Sequence, residues 1–546
     1  MESSNLQIYW HESQPVYSLC FQESNNKLKL FTAGGDNKIR AWHLNTKPSE
    51  TNDKCIKIDT IDFLSSLQQH EQAVNVVRFN NCKPRNILAS AGDDGQILLW
   101  KQNDTIVKEF GMDETEASEL KESWYVYKRL RYSSNSEIYD LCWSPDDKYI
   151  IVGCMDNCIR IFSIETEKCI INLKDHNHYV QGVSWDPMNQ YVFSQSADRS
   201  VHIYKIIFDE ENKAEVKDLK LRNKMIKAEL PLRGINEKQI DFNSTKNSYL
   251  FYNETLPSFF RRLAVSPCGS LLCIPAGIYK TENKITNQSN QSNQSNNNTQ
   301  EYCNAVHIYT RGAFDLEKMS NKPVISIPFL KKPAIVISFN PIFYKKSDSI
   351  KSKFINLPYK LIFAIATSNE LLIFDTENSI PISVIGNMHY TPLTDLKWSD
   401  DGSLVMVSST DGFCSYVSVD TALFGQPLDE DMKNSLIKDV NESQAIIPPK
   451  NETLTVTEDK GISSKSGTTE QVMKKPFDIV NILPVKRKIS NTESIENIIT
   501  VDDKKPKSNS NNTTPVVNNE TVKSPEKIKK RIQPTLLTPV KDQNKS

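Results

Sequence analysis

Five aspartates recur at one position of a repeated pattern, and a bulky side chain follows each of them six residues later. The pairs are Asp36 with Trp42, Asp94 with Trp100, Asp156 with Phe162, Asp198 with Tyr204, and Asp411 with Val417. A carboxylate can take part in acid–base chemistry, and it can also accept hydrogen bonds within its own turn. Because these aspartates recur with the repeat and not once in the chain, the pattern favours a structural role over catalysis.

Each of these aspartates lies in the turn of a predicted β-hairpin. In Leu30–Trp42, for example, small and β-branched residues precede a Gly-Gly-Asp-Asn turn, and an alternating strand follows it. Two further units, which begin near Arg261 and Ile335, keep the apolar alternation and lose the Asp. The hairpin is therefore the element that repeats.

Another short strand precedes each hairpin and gives seven units in all. Its copies are Val16–Phe21, Val74–Phe79, Ile138–Asp147, Val180–Asn189, Arg261–Ser270, Ile335–Pro341 and Leu393–Gly402. A unit of roughly 40 to 45 residues is typical of a four-stranded propeller blade, which buries both faces only by stacking on its neighbours. We therefore predict an all-β, seven-bladed propeller over residues 1–422. Leu6–Trp10 is predicted to be a spare strand that completes the last blade beside Leu404–Val419.

Polar stretches separate several of the predicted strands and are interpreted as loop insertions. They are Asn45–Asp59, Lys101–Ser136, Phe208–Ser248, Thr281–Glu301 and Tyr344–Lys353. After residue 422 the apolar periodicity disappears, and Lys, Ser, Thr, Asn and Pro dominate. Residues 423–546 are accordingly predicted to be a disordered tail, because they cannot bury enough apolar surface to offset their chain entropy.

Composition excludes several classes of protein. The eleven cysteines form no C-x-x-C pair, which favours reduced thiols in an intracellular protein, and no metal or other cofactor is predicted. The N-terminus lacks the features of a signal peptide, and the apolar runs are too short to span a membrane. Residues 471–546 carry a net charge of +7 and residues 1–470 a net charge of −8. A mildly acidic body with a basic tail suits a nuclear protein that meets basic partners.

Two islands in the tail mix basic and apolar residues. In the first, Lys486, Arg487 and Lys488 are interpreted as a possible nuclear import signal. In the second, Lys529, Lys530 and Arg531 precede Ile532 and Pro534, which is the composition of a short docking motif with steering charges and an apolar anchor. For the first island a docking role or a solvated run of charges remains the alternative, and for the second an import signal or a solvated run of charges.

The units resemble WD40 repeats. In that family a His before the first strand, a Ser or Thr on the second, the turn Asp and the ring on the third form a hydrogen-bonded tetrad. The second unit carries a full set in His70, Ser90, Asp94 and Trp100, and the first carries His11, Asp36 and Trp42. The resemblance implies that these residues stabilise their blades.

The stretches "LQIYWHESQPVYS" and "ETLPSFFRR" (Glu254–Arg262) are not generic WD40 sequence, and they are similar to the fungal WD40 middle subunit of chromatin assembly factor 1. That family implies a nuclear, non-enzymatic component of a three-subunit histone chaperone, which deposits histones H3 and H4 on newly replicated or repaired DNA. The implied partners are its large and small subunits and the histones, contacted directly or indirectly. The motif from Lys529 to Pro534 resembles the segment through which such subunits dock onto the anti-silencing-function histone chaperone.

Three other classes of protein agree less well with the sequence. An enzyme would need a non-repeating cluster of acid, base or nucleophile, and no such cluster or Gly-rich phosphate loop is evident. A ubiquitin-ligase substrate receptor usually carries an Arg soon after the closing Trp, whereas Trp42 and Trp100 are followed by His43 and Lys101. Direct sequence-specific DNA binding is disfavoured by the acidic body and by a basic tail without interleaved aromatics. The receptor, or another nuclear scaffold, stays the alternative to the chromatin assembly protein.

Overall fold

A computed structural model describes residues 1–445, apart from 25–26, 51, 53, 109–117, 212–214, 235–240, 283–300, 315–320 and 348–353. The regular structure of the described chain is almost entirely β, arranged as seven sheets of mostly four strands, which are antiparallel apart from the pairing of two strands in the fifth sheet. The first strand of each unit lies innermost in its sheet. Among the described residues, no helix has the length and apolar character needed to cross a membrane.

The first four blades follow the chain in order. The first blade contains β2 (Val16–Ser24), β3 (Lys27–Gly34), β4 (Ile39–Pro48) and β5 (Ile56–Leu67). The second contains β6 (Val74–Phe79), β7 (Leu88–Gly92), β8 (Gln96–Gln102) and β9 (Trp124–Arg131). The third contains β10 (Ile138–Trp143), β11 (Tyr149–Cys154), β12 (Ile159–Ser163) and β13 (Cys169–Leu173). The fourth contains β14 (Val180–Trp185), β15 (Tyr191–Ser196), β16 (Val201–Phe208) and β17 (Val216–Met225).

The last three blades include two additions to this plan. The fifth contains β20 (Ala264–Val265), β21 (Leu271–Glu282), β22 (Glu301–Thr310) and β23 (Ile325–Leu330), extended by the hairpin of β18 (Lys227–Gly234) and β19 (Asp241–Tyr249). The sixth contains β24 (Ala334–Phe339), β25 (Ile362–Thr367), β26 (Glu370–Asp375) and β27 (Ser383–Gly386). The seventh contains β28 (Leu393–Trp398), β29 (Leu404–Ser409) and β30 (Cys414–Ser418), and its fourth strand is the N-terminal β1 (Glu2–Leu6).

The inner strands close a ring. They neighbour one another in the order β2, β6, β10, β14, β20, β24 and β28, and β28 contacts β2 again. Apolar side chains on adjacent sheets interdigitate, as where Phe31 of the first blade meets Phe79 and Trp124 of the second with ring centroids 5.0 and 5.2 Å apart. The prediction of one seven-bladed propeller is confirmed.

The closing strand lies earlier in the chain than predicted. It spans Glu2–Leu6 and pairs with β30, whereas the prediction placed it at Leu6–Trp10. Trp10 lies instead in the turns that follow, fully buried with its ring centroid 5.0 Å from that of Trp42. An outermost strand buries little of its surface, so the sequence of β1, ESSNL, has no alternation of apolar residues that would indicate a strand. The apolar residues up to Trp10 wrongly suggested that the strand lay there.

The stretches interpreted as insertions are wrong in part, because they contain outer strands. Residues 45–59 include the end of β4 and the start of β5, residues 101–136 include β9, and residues 208–248 include β17, β18 and most of β19. Outer strands expose alternate side chains, as in the burial pattern of β9, and are therefore polar enough to resemble loops. Most of 281–301 and the second half of 344–353 lie outside the described residues.

The ordered chain continues past the predicted boundary at residue 422. Phe424 is fully buried, with ring centroids 5.6 Å from Tyr344 and 6.2 Å from Trp398, and helix α1 (Glu430–Ala445) follows. Leu436 and Ile437 of α1 pack against the core shared by the fifth and sixth blades. The predicted boundary at residue 422 is therefore too early, and residues 446–546 lie outside the described residues.

Candidate functional site

The second blade brings its four predicted residues together. His70 Nδ1 lies 2.8 Å from Asp94 Oδ2, and His70 Nε2 lies 2.7 Å from Ser90 Oγ. The indole of Trp100 donates to the same Ser90 oxygen at 2.8 Å. Asp94 also accepts from the backbone amides of Glu71 and Gln96, so the chain of bonds joins the loop before β6 to the β7–β8 turn and to β8. All four residues are buried, and the arrangement fixes three segments of the blade.

The first blade contains the same arrangement, with a member that the sequence analysis missed. Thr32 on β3 is hydrogen-bonded to His11 Nε2 at 2.9 Å and accepts from the Trp42 indole at 3.0 Å, while His11 Nδ1 lies 2.6 Å from Asp36. Arg40 also donates to Asp36. Burial alone would raise the pKa of Asp36, but its hydrogen bond to His11 and the charges of His11 and Arg40 outweigh burial and lower that pKa to about 2.

The fourth blade has a tetrad whose histidine was not predicted. His176 lies 3.1 Å from Asp198 and 2.7 Å from Ser194, and its ring stacks on His202 with centroids 3.8 Å apart. His176, Asp198 and His202 are the one set of metal-ligand types that converge within 4.8 Å among the described residues. Both rings are already hydrogen-bonded within the blade, through Ser194 and Ser200 among others, so the cluster fits a structural network better than a metal site.

The third and seventh blades depart from the tetrad. Asp156 accepts from Arg160 and from Ser134 Oγ at 3.2 Å, and Phe162 closes the unit without a polar atom. Asp411 lies 3.0 Å from His389 Nδ1, while His389 Nε2 lies 2.8 Å from Ser415 Oγ on β30. Both blades keep the turn carboxylate. In the third blade Arg160 takes the place of the histidine, and in the seventh His389 bonds to Ser415 on the third strand. No predicted blade residue stands free as a catalytic group among the described residues.

The segment Glu254–Arg262 directs a charged side chain into the centre of the ring. Arg261 is fully buried and donates to the carbonyl of Tyr252 at 2.5 Å. Arg262 lies over the ring of Phe260, with its guanidinium carbon 4.1 Å from the ring centroid. The peptide of Arg262 bonds to Ile335 and Ile337 of the sixth blade, which places its side chain at the axis of the propeller.

Arg262 crosses the central channel and joins four blades. Its guanidinium donates to the carbonyls of Tyr17 at 3.1 Å, Asn75 at 2.7 Å and Thr394 at 2.9 Å. It also lies 3.3 Å from Asp140 and from Asp395. The segment is distinctive in sequence, but a role for Arg262 could not be predicted because its partners lie on distant strands.

Asp395 is the second centre of this network. It accepts from Ser18 Oγ at 2.7 Å and from Arg78 at 2.9 Å. Its carboxyl is completely buried, which would raise its pKa, but Arg262 and Arg78 hold that pKa far below its usual range. A paired, hydrogen-bonded carboxylate of this kind holds the inner strands together and is poorly suited to accept a proton in catalysis.

Large apolar side chains remain exposed on the face that carries the blade turns. Tyr9 precedes His11, Met155 precedes Asp156, and the amide of Tyr390 donates to Asp411, so all three lie beside blade turns. Phe259 leads into the inner strand of the fifth blade, and it and Tyr390 are 62% and 102% exposed. Exposed aromatic side chains of this kind are suited to contact with a protein partner.

The tail motifs lie outside the described residues. This applies to the proposed docking residues Lys529, Lys530, Arg531, Ile532 and Pro534 and to the proposed import residues Lys486, Arg487 and Lys488. Their roles stay predictions from the sequence.

Residues 1–422 match the family described as the CAF1B/HIR1 beta-propeller domain. The fold and this match define a WD40 propeller of the class shared by chromatin assembly and histone regulator proteins. The B-type subunit of chromatin assembly factor 1 from Saccharomyces cerevisiae is 48% identical over 472 residues, which cover 82% of this chain and 94% of the yeast protein. Its counterpart from Schizosaccharomyces pombe is 37% identical, and the match covers 78% and 89% of the two chains.

Comparison with a more distant relative shows which branch of the class, chromatin assembly factor 1 or HIR1, this chain resembles more. Protein HIR1 of Yarrowia lipolytica is 27% identical over 75% of this chain, and the match covers 36% of that protein. Identity is therefore higher to the chromatin assembly factor 1 proteins, and the match covers most of their length in the two yeasts. The chain belongs to the family of B-type subunits of chromatin assembly factor 1, as the resemblance predicted.

Proposed function

We propose that this chain is the WD40 scaffold component of a chromatin assembly factor 1 complex and supports the deposition of histones H3 and H4 on replicated or repaired DNA. The supporting observation is the 48% identity to the Saccharomyces cerevisiae relative, which extends over nearly all of that protein. The propeller supplies a rigid body on which other subunits assemble. The proposed partners are the large and small subunits of the complex, with histones contacted directly or through them.

The distribution of charged groups favours a scaffold over an enzyme. The turn aspartates Asp36, Asp94 and Asp198 are hydrogen-bonded to histidines, and Asp395 in the channel is held by arginines. Groups engaged in this way are not poised to exchange protons with a substrate. We assign the chain no catalytic activity and no cofactor.

The rival function is a substrate receptor of a ubiquitin ligase or another nuclear scaffold. Such receptors usually carry an Arg two residues after a Trp-Asp pair, whereas Trp42 is followed by His43 and Leu44, and Trp100 by Lys101 and Gln102. The similarity to the chromatin assembly factor 1 proteins also exceeds the similarity to Protein HIR1. Both observations favour the chromatin assembly complex.

Purification of the tagged chain from nuclei tests the proposal. We expect the large and small subunits of chromatin assembly factor 1 to co-purify in stoichiometric amounts, together with H3 and H4. Recovery of the chain from nuclei also tests the proposed nuclear location. A cullin adaptor in place of these subunits would overturn the proposal in favour of the receptor.

The basic tail supplies a second proposed contact, to the anti-silencing-function histone chaperone. Ile532 would enter an apolar recess while Lys530 and Arg531 pair with an acidic rim. Truncating a buried aliphatic anchor costs on the order of 1 to 3 kcal/mol at any salt concentration, whereas loss of an exposed charge matters mainly at low salt. Substitutions of the apolar anchor and of the basic residues should therefore weaken binding with different salt dependence.

A peptide spanning Ser524–Val540 tests this contact by titration against the purified chaperone at two salt concentrations. Ile532→Ala should weaken binding at both, and Arg531→Ala chiefly at low salt. Ile528→Ala removes the same side chain four residues earlier and is the matched control, which should bind like the wild type. An import signal predicts that Ile532→Ala is silent, and that outcome would exclude the docking role.

A further inference from the structure

A cavity of about 280 Å³ lies in the central channel beneath the Arg262 network. Its walls come from the inner strands β6, β10, β14, β20, β24 and β28, and it extends to Asn81 and Pro267 in the turns where those strands end. A volume of this size is smaller than the roughly 300 to 1,000 Å³ of sites that hold drug-sized molecules. It suits a group of a few heavy atoms.

The lining of the cavity is layered along the strands. Asp395 and Lys397 lie two residues apart on β28, so their side chains point to the same side of the strand. Arg262 and Asp395 bond to each other at the upper level. Lys397 lies one level lower, and Ser338 and Cys142 also line the cavity. Arg262 and Asp395 are buried, whereas Lys397 is partly exposed, so the lower level is the more accessible part.

Positive charge exceeds negative charge in this cavity. Its lining contains Arg78, Arg262 and Lys397 against Asp140 and Asp395, which leaves one cation in excess. Both arginines are committed, because Arg78 donates to Asp395 and Arg262 to Asp140, Asp395 and backbone carbonyls. Lys397 is the remaining cation of the cavity.

The ammonium of Lys397 takes part in no hydrogen bond or ion pair with any residue that the structure describes. A partly buried ammonium that makes no hydrogen bond is less stable than a paired one, and an anion would offset that cost. Burial and the neighbouring charge of Arg78 lower the pKa of Lys397 to about 8. The side chain is still mostly protonated at neutral pH.

We propose that the lower channel is an anion site, in which Lys397 binds one carboxylate or tetrahedral oxyanion. Ser338 also lines the cavity, and its hydroxyl is a further group that can donate a hydrogen bond to an anion. Two sources offer this chemistry, a small inorganic ion and an acidic side chain that a partner inserts from the face where Asn81 and Pro267 lie.

The test is calorimetric titration of the full chain with sodium sulfate at constant ionic strength maintained with chloride, which removes general screening from the comparison. Wild type should bind one sulfate saturably. Lys397→Met should weaken the affinity about tenfold or more, because a charge-assisted hydrogen bond is lost. Lys397→Arg, which keeps the charge, should bind within a few-fold of wild type. Lys121→Met, on an exposed lysine outside the channel, should bind as wild type does.

A pH series provides a second readout with the same probe, because sulfate does not titrate between pH 7 and 9. The groups that interact with Lys397 are Arg78, Arg262, Asp140 and Asp395, together with the thiols of Cys20 and Cys142. Burial raises the pKa of these thiols to about 12 and about 11, so they stay neutral over this range. Affinity should therefore fall as Lys397 loses its proton above pH 8, and in Lys397→Arg it should not.

Titration with a hexaglutamate peptide separates the two sources of the anion. Binding of sulfate alone would indicate a small ion, and binding of both, each lost in Lys397→Met, would indicate an acidic side chain. If Lys397→Met fails to fold, Ser338→Asp provides the alternative, because an internal carboxylate there should eliminate sulfate binding. Equal sulfate affinity in wild type and in the Lys397→Met or Ser338→Asp variant, or no saturable binding by wild type, would overturn the proposal.

Discussion

The second and sixth blades have the same four-strand plan and are held together by different interactions. In the second, the buried set of His70, Ser90, Asp94 and Trp100 connects a loop, a turn and a strand. In the sixth, the corresponding turn has no Asp. Thr367 instead accepts from the amide of Glu370 at 3.0 Å and donates to its carbonyl at 3.1 Å.

In the sixth blade, apolar packing compensates for the missing tetrad. Every residue of β25 is buried, and Phe363 has ring centroids 5.5 Å from Phe339 and 5.6 Å from Phe374. The chain after the seventh blade adds cover, since Leu428 and α1 pack on the same core. A blade therefore needs a turn whose polar groups are hydrogen-bonded and an interior filled by apolar side chains. The tetrad is one of several ways to supply the hydrogen bonds of the turn.

The largest effect is expected from Phe363→Ala in the sixth blade. Removing a fully buried aromatic ring leaves a cavity and should lower the free energy of unfolding by about 3 to 5 kcal/mol. Denaturant unfolding followed by fluorescence or circular dichroism measures this. Val384→Ala, on the exposed side of β27 in the same blade, is the control and should change stability by about 0.5 kcal/mol or less. Equal effects would contradict the dependence on packing.

Asp94→Ala should lower the free energy of unfolding by roughly 1 to 3 kcal/mol. The substitution leaves His70 and the amides of Glu71 and Gln96 without their acceptor inside the protein. The matched control is Asp104→Ala, at an exposed position of the same blade. If the two variants melt at the same temperature as wild type, the Asp94 network does not stabilise the blade.

The effect of Asp36→Asn on the free energy of unfolding should depend on pH. A carboxyl whose pKa is lowered in the folded state adds stability that is fully present above its unfolded pKa and is lost as the pH falls through the folded value, here about 2. Asp36→Asn should therefore cost about 1 to 2 kcal/mol at pH 7, and about half of that difference should be gone by pH 3. Unfolding curves of both proteins at several pH values test this, and a difference that does not change with pH would contradict it.

The smallest effect is expected from Asp411→Ala, at about 1 kcal/mol or less. The side chain of Asp411 is more exposed than that of Asp94, at 10% against 2%, so water can replace part of what is lost. Val417 closes this unit and makes no side-chain hydrogen bond to the network. A loss as large as that of Asp94→Ala would show that the closing ring contributes little to the tetrad.

The repeat could be predicted because inner strands and turns have strict requirements. Inner strands such as β6 and β7 are buried almost throughout and are rich in apolar residues, and the turn Asp recurs at a fixed distance from the ring. Outer strands have weaker requirements, and for that reason β1, β9 and β17 were missed or misplaced. Helix α1 was missed because it is polar along most of its length, with Leu436 and Ile437 as its packed residues.

The channel network could not be predicted from sequence spacing. Arg262 bonds to Asp140, which lies 122 residues earlier, and to backbone carbonyls of three other blades. Only ring closure brings these groups together. The histidines His176 and His389 were within reach of prediction, because each lies 22 residues before its turn Asp.

The most direct test of the account compares the full-length chain with residues 1–445, both tagged and purified from nuclei under the same conditions. We predict that the large subunit of chromatin assembly factor 1 is recovered equally with both, and that only the full-length chain recovers the anti-silencing-function chaperone. Melting of the truncated protein at the wild-type temperature verifies that its propeller is intact. Loss of the large subunit from a folded 1–445 protein would contradict the assignment of the scaffold role to the propeller.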